Sequence, residues 1–61
     1  MITFGKLKVN DEFYNGGIRY IKIEAYHDAQ FGTVNARQYG DKESKAFFST
    51  LELVQKSGFD R

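Results

Sequence analysis

The stretch Asp11-Glu12-Phe13-Tyr14-Asn15-Gly16-Gly17-Ile18-Arg19-Tyr20-Ile21-Lys22-Ile23 decides the fold. It sets two runs of aromatic and β-branched residues, the strand formers, on either side of a glycine-rich turn. Asn15-Gly16 is a favoured pair for a two-residue type I′ turn, because both central positions need φ > 0. Gly17 is positioned to lengthen that turn into a three-residue loop with a bulge. The segment therefore reads as a β-hairpin, with Ile18–Ala25 its stronger strand.

Outward from the hairpin, the same alternation recurs in short pieces. Met1–Phe4 reads as a first strand or a packed arm, interrupted at Gly5, and Asn10-Asp11 is a turn signal. Tyr26–Gly32 reads as the next connection, with polar His27-Asp28 and a permissive Gly32. Thr33–Tyr39 reads as a strand with Val34 and Ala36 on one face and Asn35 and Arg37 on the other. Gly40–Ser44 is a polar turn, and Lys45–Phe48 a returning strand. Ser49 with Glu52 has capping-box spacing, but too few residues follow for a stable helix. A one-turn 3₁₀ segment near Ser49, feeding a last strand over Leu51–Val54, is the reading adopted.

Composition agrees with a small folded β domain. The 61 residues are 41% apolar and 28% charged, with six Phe, four Tyr, six Gly and no Pro or Cys. A chain of this length buries about 60% of the surface its unfolded form exposes. Aromatic rings, each removing about 150–250 Å² when fully buried, suit so small a core. Five short strands cannot make two full sheets, and a strongly bent antiparallel barrel is the economical way to protect their edges. The expected domain spans residues 1–56, with residues 57–61 as a flexible tail.

The elements Leu7–Phe13, Arg19–Ile23, Val34-Asn35-Ala36, and Phe47-Phe48 followed by Leu51–Val54 together resemble the small SH3-like barrel proteins of phages and bacteria. The resemblance covers about residues 4–55. It implies an all-β, SH3-like, five-stranded barrel, in a group of proteins many of which have no assigned activity. It carries over no functional residue.

The residues themselves exclude more than they assign. Without cysteine there is neither a disulfide nor a thiolate metal site, which fits a reducing cytoplasm. Lys6, Lys8, Asp11 and Glu12 break up any leader-like apolar region, and no apolar run approaches the ~20 residues of a membrane span. His27 is the only histidine, and no ligand set converges on it in sequence. Its spacing to Asp41 and Glu43 supports no acid–base pair. Ser44 and Ser49 lack a nucleophile's glycine elbow, and Gly16-Gly17 lacks a phosphate-binding pattern. No catalytic residue, cofactor or metal is expected.

Binding is the remaining reading. Tyr14, Tyr20, Tyr26, Phe31 and Tyr39 exceed what the core needs. With Arg19, Lys22 and Arg37 nearby they have the composition of a protein interface. Period two puts Arg19 with Ile21 on one face and Tyr20 with Lys22 on the other. The candidate site is Tyr14, Arg19, Tyr20, Lys22, Arg37 and Tyr39, docking a protein partner. Two alternatives use the same surplus: a nucleic-acid binder with Lys6, Lys8 and Lys45 added, and a homodimer. A net charge of +1 makes no strong case for nucleic acid. Asn35, polar in mid-strand, is expected to hydrogen-bond a neighbouring loop backbone.

Overall fold

Two glycines fix the register of the central hairpin. In the computed structural model, which describes residues 1–57, Gly16 and Gly17 have φ of 61° and 82°. They form the two-residue loop between β2 (Glu12–Asn15) and β3 (Ile18–Asp28), with Asn15 paired to Ile18. The turn thus lies one residue beyond the expected Asn15-Gly16. The reason is in the core: this register sets Phe13 opposite Tyr20, whose rings stack with centroids 5.5 Å apart.

β3 runs on through Tyr26–Asp28, where a connection was expected. The loop is shorter because the Asp28 carboxylate accepts the backbone N–H groups of Gln30 (3.1 Å) and Phe31 (2.9 Å). β4 (Gly32–Gln38) returns antiparallel to β3. Between the pairs Lys22–Ala36 and Tyr26–Val34, β3 has Ile23, Glu24 and Ala25 where β4 has only Asn35. This bulge bends the hairpin. Val34 and Ala36 are buried on one face of β4, as the alternation predicts.

β5 (Leu53–Lys56) lies between β2 and the two-residue β1 (Ile2–Thr3), giving the order β1-β5-β2-β3-β4. All four pairings are antiparallel. β1 and β4 are the ends of this order, and no ladder among the described residues joins them. The all-β, five-stranded expectation therefore holds, but the sheet is not closed into a barrel, and the SH3-like reading is corrected.

The returning strand expected at Lys45–Phe48 is reduced to a single bridge between Ala46 and Ala36. The ladder stops there because a side chain takes the place of a strand. Asn35 Nδ2 donates to the Phe48 carbonyl and the Phe48 N–H donates to Asn35 Oδ1, both at 2.9 Å. Both backbone groups of Phe48 are thereby satisfied without a β neighbour. The expected bond from Asn35 to a neighbouring backbone is thus present.

The helical turn expected near Ser49 is instead a β-turn, closed by the Glu52 N–H donating to the Ser49 carbonyl (3.0 Å). A 3₁₀ turn forms at Phe4–Lys6. It lies against the Ser49–Glu52 turn, with the Gly5 N–H donating to the Thr50 carbonyl at 2.9 Å. A Cβ on Gly5 would stand 3.0 Å from that oxygen, so a larger residue would push the two turns apart by a few tenths of an ångström.

Phe4, Leu7, Phe13, Ala36, Phe48 and Val54 form the core, flanked by Ile2, Tyr20 and Ala46. Phe48 is its hub, with ring centroids 5.4 Å from Phe4, 5.1 Å from Phe13 and 5.0 Å from Tyr20. Ser57, at the start of the expected tail, donates its N–H to the Glu12 carbonyl at 2.9 Å. The other tail residues, 58–61, lie outside the described residues.

Candidate binding face

Strand parity divides the six candidate residues between two faces. Phe13 is buried, so Glu12 and Tyr14 point away from the core. Their partners Ile21 and Arg19 do the same, and so does Arg37, paired with Ile21. Tyr14, Arg19 and Arg37 therefore share the outer face of the sheet. Tyr39 reaches it from the end of β4, its N–H donating to the Arg19 carbonyl at 2.9 Å.

Arg19 organises this face. Its Nε donates to Glu12 Oε1 at 3.1 Å and its Nη2 to the same oxygen. The guanidinium lies over the Tyr39 ring, 3.9 Å from the centroid. The hydrogen bond to Glu12 raises the Arg19 pKa further above its ordinary value, against an opposing contribution from desolvation. The result is an arginine fixed on both sides, with Tyr14 across the strand pair and Tyr39 beneath. Tyr14 and Tyr39 stay 38% and 51% exposed, enough ring surface to meet a partner.

Tyr20 and Lys22 are on the other face, among core residues. Tyr20 packs on Phe13 and Phe48. The Lys22 ammonium donates to the carbonyls of Leu7 (2.7 Å) and Phe4 (3.2 Å) and sits 4.6 Å from the centroid of the Phe4 ring. Its charge is spent on the turn that carries the core Phe4.

A second exposed cluster joins Phe31, one of the surplus aromatics, to residues outside the six-residue candidate set. Phe31, Thr33 and Phe47 line a shallow apolar groove beside β4. Phe31 and Phe47 are 50% and 54% exposed. The dipeptide Phe47-Phe48 carried a signal for it, since adjacent residues of an extended chain point opposite ways. With Phe48 in the core, Phe47 must leave it.

The other polar candidates serve turns. Ser44 Oγ accepts the Gln38 N–H at 3.1 Å, and Asp41 Oδ1 the Glu43 N–H at 3.0 Å. Ser49 Oγ accepts the Leu51 N–H at 3.3 Å. His27 is exposed on β3, paired with Thr33, and not in a loop as expected. Among the described residues no group of three or more His, Cys, Asp or Glu is placed to hold a metal ion. No helix among them is long and apolar enough to cross a membrane. Comparison with protein-family models, with curated proteins and with solved structures finds no match for this chain.

Proposed function

We propose that the chain is a non-enzymatic docking module that engages a protein partner through the outer face around Tyr14, Arg19, Arg37 and Tyr39. The observation that carries this reading is the fixed Arg19, bonded to Glu12 and stacked on Tyr39. Arginine and tyrosine dominate the energetics of protein interfaces. A side chain already held in one conformation loses less entropy on binding. The nucleic-acid alternative draws less support, because Arg19 and Lys22 are already engaged by Glu12 and by backbone carbonyls. The cytoplasm suits a cysteine-free chain of this size and is the proposed setting.

The test is affinity capture from the native lysate, with and without nuclease, comparing the wild type with Tyr14→Ala and Arg19→Ala. A protein retained after nuclease and lost with either variant supports the reading. Capture that vanishes with nuclease, or that both variants leave unchanged, refutes it. A dimer mass that reverts to monomer in Tyr14→Ala assigns the face to self-association.

A further inference from the structure

We infer that the groove formed by Phe31, Thr33 and Phe47 is an anchor site for an acidic polypeptide segment carrying a bulky apolar side chain. The inference rests on the docking reading above and adds the partner's chemistry and its point of entry.

Geometry supplies the site. Ala46 bridges Ala36 antiparallel, so Lys45 lies beside Arg37 and Phe47 beside Asn35. Ala46 packs toward the core, so its neighbours Lys45 and Phe47 project to the outer side with Thr33 and Arg37. Two half-exposed phenylalanine rings and two adjacent cations thus share one surface. The rings give an apolar anchor its pocket, and the cations lie on the same outer face.

Charge decides the occupant. Among the described residues the ion pairs are Arg19–Glu12 and Lys56–Asp11, and neither uses Arg37 or Lys45. Asp28, at the Phe31 end of the groove, accepts the N–H groups of Phe31 and Gln30 on its Oδ2. Those bonds hold its pKa below the usual carboxylate range, with Lys45 assisting from a distance. Carboxylates of a partner segment would therefore find Arg37 and Lys45 outside any ion pair while its apolar side chain sits between Phe31 and Phe47. A second copy of this chain fits worse, since a twofold contact would set this cationic patch against itself. A nucleic-acid strand would meet the same two cations, and an oligonucleotide control separates it from an acidic peptide.

The test uses a short capped peptide with a central Phe-Leu pair flanked by Asp and Glu. Its controls are the same peptide with Ser in place of Phe-Leu, the Lys-flanked counterpart, and a single-stranded oligonucleotide. Amide shifts of the isotope-labelled protein locate the binding site, and anisotropy gives the affinity. The expected result is binding of the acidic apolar peptide alone, with shifts at Phe31, Thr33, Arg37, Lys45 and Phe47. Phe47→Ala should weaken it about tenfold or more, because one of the two rings that hold the anchor is removed. Arg37→Glu combined with Lys45→Glu should transfer the preference to the Lys-flanked peptide.

Shifts confined to Tyr14, Arg19 and Tyr39, unaffected by Phe47→Ala, would overturn the groove assignment and leave the docking reading standing. Equal binding of the basic peptide, preference for the oligonucleotide, or no binding of the acidic peptide would also overturn it. So would a free-protein dimer that Phe47→Ala converts to monomer.

Discussion

Asn35→Ala is expected to be among the most destabilising single changes outside the apolar core. The Asn35 side chain is only partly buried and makes two hydrogen bonds, both to the backbone of Phe48. Removing the amide leaves a donor and an acceptor without partners, at about 1–3 kcal/mol for each buried group. Partial access of water moves the sum toward the lower end, about 2–4 kcal/mol. At ~0.05–0.15 kcal/mol per residue, 61 residues give a total stability of roughly 3–9 kcal/mol. The substitution thus removes a large fraction of it and loosens Phe48, the hub of the ring cluster. With a urea m-value of about 1 kcal/mol/M, the unfolding midpoint should fall by about 2 M or more.

Asn35→Asp separates this account from simple loss of packing. The carboxyl still accepts the Phe48 N–H, but its ionised form faces the Phe48 carbonyl with no proton to donate. The folded state therefore favours the protonated carboxyl and raises its pKa above the unfolded value of about 3.9. Stability of this variant is fully present below that pH and lost as pH rises through the raised pKa. Measured against the wild type, the deficit of Asn35→Asp should be small in acid and grow toward neutrality. A cost below about 0.5 kcal/mol for Asn35→Ala, or a deficit of Asn35→Asp that does not change with pH, would refute the role assigned to the amide.

Lys22→Met should cost about 2–3 kcal/mol in chemical denaturation, because the Phe4 and Leu7 carbonyls lose a charged donor. A loss under about 1 kcal/mol would mean that water replaces the ammonium. Gly17→Ala should cost about 1–2 kcal/mol, from its φ of 82° alone, since nothing lies within 4 Å of the added Cβ. Gly17→Asn should cost less, and equal costs would contradict the backbone explanation. Arg19→Ala should leave the urea unfolding midpoint nearly unchanged, because its ion pair is exposed. A clear fall in the midpoint would make Arg19 a structural residue. Asp28 has a lowered pKa, so its contribution is present above the unfolded value of about 3.9 and lost as pH falls through the folded one. Thermal unfolding of Asp28→Asn should therefore fall less steeply than that of the wild type below about pH 4, and parallel profiles would sink the argument.

What the sequence made legible was local. The glycine turn, the strand character of Ile18–Ala25 and the parity of Val34 and Ala36 depend on near neighbours, and these readings agree with the structure. The one-residue turn shift and the shortened Ala29–Phe31 loop depend on contacts just beyond that range, the Phe13–Tyr20 stack and the Asp28 bonds. The open sheet depends on a contact between residues 13 positions apart, Asn35 and Phe48, whose mid-strand bonding was expected but whose partner was not. Within the candidate site, parity correctly separated Arg19 from Tyr20. It could not say which face met the core, because that follows from where Phe48 arrives.

Lys22 and Asn35 share a logic that bears on how any binding face of this chain must be read. Both are polar residues in mid-strand, a pattern that usually marks solvent exposure. Both instead satisfy backbone groups where no strand is available, Lys22 at the Phe4–Leu7 turn and Asn35 at Phe48. A tally of nine Lys and Arg therefore overstates the charge available to a partner. Lys22 is committed to carbonyls, and Arg19 and Lys56 to Glu12 and Asp11. The cations that can distinguish one partner from another are those without such a commitment. Arg37 and Lys45 are the two that the bridge at Ala36–Ala46 sets side by side. Electrostatic specificity should accordingly track those two residues, while Arg19 shapes the surface and Lys22 the fold.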